Sequence, residues 1–296
     1  MNIVVLGPGA VGSLWAYKLN LAGHNVSVYS SQNLPNLSLE LDEQPALSFV
    51  NQSIELLTKA DVLLVTVKAW QVEAAIEPLI KHIDERCIVV FMHNGMGAVD
   101  TVAPLLDRNP LVLATTTHGA YKPSREKVLH TGHGNTLLGG YNSKGSRCDF
   151  LAEVFNHALA NCQWTENINL ALWNKLAINC AINPLTAIEQ CRNGDLAKEH
   201  YQEKLNQIID EVCQVMRAEK VPITREQLEE TVTQVIKATA ENYSSMHQDV
   251  FYQRKTEIDF ITGYLLVSAK RHNISAPTNQ ALYDNIKTIE NSWTQS

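Results

Sequence analysis

The chain has 296 residues, which is long enough to bury a sizeable core and favours two domains. Its 31 acidic residues outnumber its 24 basic ones, giving a net charge of −7, and no basic cluster could follow a nucleic acid backbone. The sequence opens as a strand rather than as a secretory signal, and no apolar run reaches the roughly 18 residues of a membrane span. We therefore expect a cytoplasmic protein, a monomer or homodimer, that binds a small molecule rather than a nucleic acid or a membrane.

Neither the cysteines nor the histidines are spaced like metal ligands. The six cysteines contain no Cys-x-x-Cys pair, so neither a disulfide framework nor a zinc site is indicated. The ten histidines are dispersed along the chain, and each is interpreted as a surface or structural residue. We expect no metal in this protein.

Strand and helix patterns alternate through the first half of the chain. Residues 2–6 form a continuous apolar run typical of a parallel sheet, followed by a glycine-rich turn and a helical pattern that ends at Gly23. A second strand over 25–29 completes a β-α-β unit. Further strands are predicted over 61–67, 87–92 and 111–117, and helices over 70–81, 98–106 and 147–160. Alternation of polar and apolar residues from Gly119 to Gly140 suggests antiparallel strands on one edge of the sheet.

Beyond about residue 166 the strand signals end and amphipathic helices take over. Apolar residues keep helical spacing from Tyr201 to Met216, and Thr224 followed by Gln227 has the pattern of a helix-capping box. The predicted fold class is α/β. We expect an N-terminal Rossmann-type doubly wound sheet in residues 1–166, followed by an all-helical C-terminal domain in residues 167–296.

The motif Gly-x-Gly-x-x-Gly lies directly between the first strand and the first helix. Its residues are Gly7, Pro8, Gly9, Ala10, Val11 and Gly12. In this position the motif predicts a dinucleotide site, in which backbone amides at the start of the helix hold the pyrophosphate. A glycine-rich structural turn is the alternative. The second strand ends in Tyr29-Ser-Ser-Gln32, without the acid that binds a ribose hydroxyl, and this favours NADP mildly over NAD.

Polar residues follow two further strands of the predicted sheet. Lys68 comes after the strand over 61–67 and Asn94 after the strand over 87–92, at the edge where ligands bind in open α/β sheets. Each of them could instead be a solvated surface group. Glu257, in the second half, lies in a predicted first helical turn, where interaction with the helix dipole is the simpler explanation.

Lys175, Asn179 and Asn183 recur every four residues within an otherwise apolar helical run. At 3.6 residues per turn they form one polar stripe, and buried polar groups need partners. A ligand is one candidate. The alternative is that the asparagines bond to nearby backbone and the lysine reaches water.

Together these motifs resemble those of the 2-dehydropantoate 2-reductase (ketopantoate reductase) family. The matching segments are Gly7-x-Gly-x-x-Gly12, Val67-Lys-Ala-Trp-Gln-Val72, His93-Asn-Gly-Met-Gly97, Trp173-x-Lys-x-x-x-Asn-x-x-x-Asn-Pro-Leu-Thr186, Asn193-Gly194, Ser244-Ser-Met-x-Gln-Asp249 and Thr256-Glu-Ile-Asp259. The resemblance covers almost the whole chain. It implies NADPH-dependent reduction of 2-dehydropantoate, a 2-oxo acid, to pantoate in pantothenate and coenzyme A biosynthesis. It also implies that substrate binds in the cleft between a Rossmann domain and a helical domain.

The resemblance implies a role for each matching residue. Lys175 matches the general acid. The substrate contacts would be Asn179, Asn183, Asn193 and the loop of Ser245, Met246, His247 and Gln248. The cofactor or the closed active site would be contacted by the glycine motif, Ser31, Lys68, Asn94, Ala120 and Glu257. Similar enzymes often carry an arginine where this chain has Ser31, and Lys68 is a candidate for the compensating positive charge.

The chemistry of ketone reduction agrees with a lysine in this role. Hydride addition to a ketone carbon leaves negative charge on the oxygen, so a cation that can also donate a proton is needed there. Two other functions remain open. One is a related NAD(P)-dependent reductase of another branched 2-oxo acid, and the other is a non-catalytic protein that senses NADP.

Overall fold

Residues 1–293 are described here from a computed structural model, and residues 294–296 of the predicted second domain lie outside them. The chain divides into two compact units. The first contains Met1–His93 and Ala98–Ile168, and the second contains Asn94–Gly97 and Asn169–Ser296. The short segment Asn94–Gly97 therefore groups with the helical part of the chain, although its neighbours on both sides belong to the first unit.

The first unit contains all the strands of residues 1–293. They are β1 (Asn2–Leu6), β2 (Asn25–Tyr29), β3 (Asn36–Leu41), β4 (Leu47–Val50), β5 (Val62–Val65), β6 (Ile88–Phe91), β7 (Leu111–Thr116), β8 (Gly119–Tyr121), β9 (Lys127–Gly132), β10 (Thr136–Gly140) and β11 (Cys162–Trp164). Seven of them form one sheet in the order β11-β10-β7-β6-β5-β1-β2. Within it only β10 pairs antiparallel, against β7, and the other pairs are parallel.

The remaining strands form a second sheet that the sequence did not predict. Its order is β4-β3-β9-β8. The segment 119–140 was expected to form antiparallel strands on one edge of the main sheet. Strands β8 and β9 are antiparallel but lie in the second sheet, and β10 pairs antiparallel with β7 but lies inside the edge strand β11. The apolar residues of β3 alternate as Leu37, Leu39 and Leu41, all buried, because one face of the second sheet is covered.

Three helices of the first unit, those predicted over 70–81, 98–106 and 147–160, are shorter than their sequence patterns suggested, and α2 was not predicted. The helices of this unit are α1 (Ala10–Leu21), α2 (Ile54–Thr58), α3 (Val72–Ile76), α4 (Ala98–Val102) and α5 (Leu151–Ala158). The helix predicted over 70–81 is α3 flanked by 3-10 turns over 69–71 and 77–82, and Pro78 explains the break because it lacks an amide hydrogen. Helix α1 contacts β1 and β2 of the main sheet and β3, β8 and β9 of the second sheet.

The second unit is helical, with a separate hydrophobic core. Its helices are α6 (Ile168–Glu189), α7 (Glu199–Ala218), α8 (Arg225–Ala238), α9 (Ser245–Phe251), α10 (Thr262–Arg271) and α11 (Pro277–Trp293). Leu176, Ile209 and Leu265, from three different helices, are among the residues of this core. The predicted fold class, a Rossmann-type doubly wound sheet followed by an all-helical part, is confirmed. No helix within residues 1–293 has both the length and the apolar character that crossing a bilayer requires.

Candidate functional site

Two glycines of the turn after β1 are required by the packing of the first unit itself. Gly7 has a φ of +85°, and a Cβ there would approach the backbone nitrogen of Val67 to 2.9 Å. A Cβ on Gly12 would lie 2.5 Å from the carbonyl oxygen of Gly7 and would collide with the Thr66 hydroxyl. The Thr66 hydroxyl also donates a hydrogen bond to the Gly7 carbonyl, 2.8 Å away. These contacts hold the turn against Thr66 and Val67, the two residues that follow β5.

Gly9 has no such internal requirement. The nearest atom that its Cβ would meet is the Gly7 carbonyl oxygen, 4.0 Å away, so the space beside Gly9 is open. Gly9 is also the N-cap of α1, and no side chain caps this helix end. Pro8 is buried, while Ala10 and Val11 begin the first helical turn with their amides at the open face. An open approach to uncapped amides is the arrangement that binds a pyrophosphate, so the turn fits a dinucleotide.

Ser31 is exposed and lies just beyond the end of β2, next to the glycine turn. The neighbouring strand ends are tied together because the Gly7 amide donates to the Tyr29 carbonyl at 2.9 Å. Asn51 fixes the segment around Ser31 by accepting from the Ser30 amide at 3.0 Å and by donating to the carbonyls of Gln32 and Leu34. Ser31 is therefore held where a dinucleotide-binding fold places the ribose of the cofactor.

Lys68 and Ala120 are the other predicted cofactor contacts of the first unit. Lys68 follows β5 and is partly buried, and Ala120 lies in β8, paired with His130. The sequence did not single out Lys122, two residues beyond Ala120. Its ammonium group donates to the Pro8 carbonyl at 2.8 Å and to the Ser13 hydroxyl at 3.0 Å. Burial lowers the pKa of Lys122 to about 8. This lysine therefore holds the glycine turn through the carbonyl of Pro8.

In the second unit Lys175, Glu257 and Asn94 come together. Lys175 lies in α6 and is partly buried, and burial lowers its pKa to about 8 while the charge of Glu257 acts to raise it. Glu257 is 7% exposed and accepts a hydrogen bond of 3.2 Å from the Asn94 side chain. The Asn94 turn is docked in the second unit because the Met96 amide donates to the Phe260 carbonyl at 2.8 Å. The site therefore contains a cation with a displaced pKa beside a fixed carboxylate.

Asn179 and Asn183 continue the stripe of Lys175 along α6. Asn183 is 6% exposed and Asn179 is partly buried. Within residues 1–293 neither side chain makes a hydrogen bond with another residue, so the alternative in which they bond to nearby backbone is not what the structure has. Sheltered amides without protein partners are costly unless a ligand or water pairs them. The stripe is thus chemically suited to bind a polar ligand.

The other predicted substrate residues lie near the end of α6. The Thr186 hydroxyl donates to the hydroxyl of Ser244, the N-cap of α9, at 2.8 Å, which brings the segment from Ser245 to Gln248 beside α6. Ser245 is exposed and Gln248 partly buried, whereas Met246 packs in the helical core and His247 stacks on the exposed Tyr243 ring at 4.4 Å.

Asn193 begins the 3-10 turn Asn193–Ala197 and is 7% exposed. Its amide nitrogen donates to the Thr239 hydroxyl at 3.0 Å. Its side-chain oxygen is buried and has no hydrogen-bond partner among the residues described. One end of this amide is therefore structural, and the other end can still accept a hydrogen bond.

Three of the histidines that are dispersed along the sequence lie together in the structure. His118, His130 and His133 have ring nitrogens that all lie within 4.8 Å of one another. Antiparallel pairing of β8 with β9 brings them together, because Ala120 pairs with His130 and Gly119 with Gly132. Their spacing along the sequence gave no indication of this, since it depends on the register of that hairpin.

The fold and these groups define a class of protein. The first unit is a doubly wound sheet with an open glycine turn. The helical unit carries a lysine of lowered pKa and two asparagine amides that are at least partly buried. This combination is typical of dinucleotide-dependent oxidoreductases. Two family models cover nearly the whole chain: ketopantoate reductase PanE/ApbA matches residues 3–143, and ketopantoate reductase PanE/ApbA C terminal matches residues 167–290. The chain belongs to the ketopantoate reductase family.

Individual relatives agree with this assignment. A 2-dehydropantoate 2-reductase of Vibrio cholerae serotype O1 is 55% identical over 296 residues, with 100% of both chains covered. One from Escherichia coli O157:H7 is 38% identical, covering 99% of this chain and 96% of its own. Among solved structures, a PanE/ApbA family ketopantoate reductase from Ralstonia eutropha JMP134 is similar with a TM-score of 0.87 and 25% identity, over 99% of each chain. D-mandelate dehydrogenase with NADH and anilino(oxo)acetate shares the fold at a TM-score of 0.88 and 20% identity, over 99% of each chain.

Proposed function

We propose that this chain reduces 2-dehydropantoate to pantoate with NADPH, in pantothenate and coenzyme A biosynthesis, and that Lys175 is the general acid. The observation that carries the proposal is the stripe on α6, where an ammonium of lowered pKa is followed by two sheltered amides that no described residue pairs. The names of its full-length relatives support the choice of substrate. The proposed location is the cytoplasm, and the proposed assembly is a monomer or a homodimer.

The proposed mechanism assigns a separate task to each group of the stripe. The Lys175 ammonium donates its proton to the ketone oxygen of the substrate as negative charge develops there. Asn179 and Asn183 bind the carboxylate and hydroxyl of the 2-oxo acid and so orient its carbonyl toward Lys175. Asn193 and the segment Ser245–Gln248 complete the proposed substrate contacts, with Ser245 and Gln248 offering the accessible polar groups.

The cofactor proposed for the first unit is NADPH. When bound, it would supply the hydride that the reduction needs. The residues proposed to hold it are the glycine motif from Gly7 to Gly12, Ser31, Lys68, Asn94, Ala120 and Glu257. The open space beside Gly9 and the uncapped start of α1 suit the pyrophosphate. Ser31 offers a 2′-phosphate one hydroxyl and no repelling charge, and Lys68 is proposed to add the positive charge.

Substitution of Lys175 tests the assignment of the acid. We expect Lys175→Ala to lower the turnover of 2-dehydropantoate by roughly a hundredfold or more, since general acid catalysis contributes on this scale. Binding of NADPH, followed by its fluorescence, should persist. The matched control is Lys204→Ala, which removes an exposed lysine from α7 and should leave turnover unchanged. Near wild-type turnover in Lys175→Ala would show that another group supplies the proton.

The choice of substrate and cofactor needs its own measurement. Initial rates with a panel of branched 2-oxo acids, each with NADPH and with NADH, should give the highest kcat/KM for 2-dehydropantoate with NADPH. A higher value for another oxo acid would make the chain a related reductase. Tight NADPH binding with no oxidation by any oxo acid would instead identify a sensor.

A further inference from the structure

Three imidazole rings cluster in the first unit, and none of these three histidines is assigned a role above. The Nδ1 atom of His118 lies 3.1 Å from the Nε2 atom of His130. The His130 and His133 ring centroids are 4.5 Å apart. His118 is buried, His130 partly buried and His133 exposed, so the cluster reaches from the interior of the unit to its surface.

Burial and hydrogen bonding favour the neutral form of two of the rings. Burial is the main cause that lowers the pKa of His118 and of His130, and the neighbouring imidazoles lower both further. The Gly134 amide donates to His118 Nδ1 at 3.2 Å, so this nitrogen carries its lone pair rather than a proton, and a bound ion would take the place of that hydrogen bond. Asp42 accepts the backbone amide of His130 at 2.8 Å and fixes the strand that carries the ring.

We propose that His118, His130 and His133 bind one divalent transition metal ion, with Zn²⁺ as the probe. Zinc binds imidazole nitrogen at about 2.0–2.1 Å in tetrahedral geometry, which sets neighbouring ligand nitrogens about 3.3 Å apart. The separation of 3.1 Å between the His118 and His130 nitrogens is close to that spacing. Three neutral imidazoles and an open fourth position for water form a donor set suited to Zn²⁺, Co²⁺ or Cu²⁺ rather than to Mg²⁺ or Ca²⁺.

Binding would connect the residue before β8, strand β9 and the turn that follows it. His118 precedes β8, His130 lies in β9, and His133 lies in the turn that leads to β10. Strand β8 has only three residues and its pairing with β9 contains an irregularity between Gly119 and Ala120. A bound ion would cross-link this hairpin and stabilise it. The inference does not depend on the proposed function.

Calorimetric titration of the full chain with ZnCl₂ tests the proposal directly. The chain is used without a polyhistidine tag and after removal of metals with a chelator. We expect one ion per chain in the wild type, and an affinity weaker by roughly tenfold or more in His133→Ala. His133 is exposed, so its removal should not disturb folding. His157→Ala, an exposed histidine in α5 outside the cluster, is the matched control and should bind as the wild type does.

Cobalt adds a spectroscopic measurement of the coordination of the bound ion, made on variants whose circular dichroism matches that of the wild type. Co²⁺ in the wild type should give the strong visible absorption of a four-coordinate ion, and His133→Ala should lose it. Absence of saturable Zn²⁺ binding in the wild type would overturn the proposal, and the cluster would then be a hydrogen-bonded set of histidines only. Equal affinity in His133→Ala and the wild type would overturn it as well.

Discussion

Lys175 carries a positive charge in a place where the structure makes that charge unfavourable. Burial brings its pKa down to about 8, and Glu257 partly opposes this change. As the proposed acid, Lys175 is active when protonated, so kcat/KM should be constant below pH 8 and fall as the pH rises through about 8. Replacing Glu257 with Gln removes the charge that raises the pKa of Lys175. We therefore expect Glu257→Gln to shift the alkaline limb of the pH profile to lower pH.

The measurement is kcat/KM for 2-dehydropantoate between pH 6 and pH 10, which reports ionisations of the free enzyme. Glu203→Gln, an exposed carboxylate on α7, is the control and should leave the limb in place. An alkaline limb that stays unmoved in Glu257→Gln would contradict the electrostatic coupling between these two residues.

Lys122 acts on the cofactor site through the backbone of the glycine turn. Replacing it with Met keeps most of its length and removes the hydrogen bonds to Pro8 and Ser13. Hydrogen bonds from charged donors contribute about 1.5–3 kcal/mol, and about 1.4 kcal/mol corresponds to a tenfold change in affinity. We expect Lys122→Met to raise the KM for NADPH roughly tenfold with little change in kcat.

Steady-state kinetics with varied NADPH measures this effect. Lys81→Met, at an exposed lysine of the first unit, should behave like the wild type. If kcat fell while the KM for NADPH stayed the same, Lys122 would not be acting by positioning the turn.

Sequence alone could predict some of these residues and not others. Lys175, Asn179 and Asn183 could be predicted from sequence, because four-residue spacing in one helix determines that they share a face. Lys122 could not be predicted from sequence, because its partner Pro8 is 114 positions away and the contact depends on where β8 lies. The histidine cluster was hidden for the same reason, since it depends on the β8–β9 register.

In the turn between β1 and α1, Gly12 is required by packing, whereas Gly9 is required only if a ligand binds there. Gly12→Ala places a Cβ against the Gly7 carbonyl and the Thr66 hydroxyl, so we expect it to lower the free energy of unfolding by about 3 kcal/mol. Gly9→Ala places its Cβ in open space, and its effect should stay within about 1 kcal/mol. Gly9→Ala should nevertheless weaken NADPH binding at least tenfold, because the methyl group would occupy the approach to the amides.

Urea unfolding and NADPH fluorescence titration measure the two effects separately, and each variant serves as the control of the other. Wild-type NADPH affinity in Gly9→Ala would contradict a phosphate site at this turn.

Elements were predictable where the local pattern and the packing agreed. The apolar run of β1 and the glycine turn after it predicted a β-α-β unit, and β1 and β2 pair in parallel as expected. Strands β3 and β4 were missed, because a strand of four to six residues on a small second sheet has a weak pattern. Pro78 and Pro104 also shortened two predicted helices, since the residues before them matched a helical period that the missing amides interrupt.

At the scale of the whole chain, the pattern predicted a sheet followed by helices but not the position of Asn94–Gly97. The change from alternating elements to helices alone indicated where the sheet ends. The assignment of Asn94–Gly97 to the helical unit rests on the contact of Met96 with Phe260 and on the approach of Gly95 to the same residue. No periodicity predicts such a contact between positions so distant in sequence.

The lowered pKa of Lys175 also predicts how the stability of the whole chain depends on pH. Below pH 8 the lysine is charged in both the folded and the unfolded chain, so the folded chain bears the full penalty of burying it. Between pH 8 and about 10.5 the folded chain releases this proton while the unfolded chain keeps it, and the penalty disappears. We expect Lys175→Met to be more stable than the wild type at pH 7, by up to about 3 kcal/mol at 1.36 kcal/mol per pKa unit.

The advantage of Lys175→Met should narrow by about 2 kcal/mol at pH 9.5, since that pH lies about 1.5 units above the folded-state pKa. Urea unfolding of both chains at the two pH values measures this difference, and titration of other groups cancels in the comparison. Lys204→Met, at an exposed lysine, should show no pH-dependent advantage. An advantage of Lys175→Met that is the same at both pH values would mean that the Lys175 charge is well solvated, and its low pKa would then not support a role as the acid. A stability penalty that is lost together with the charge is what an active-site lysine held ready for proton donation should show.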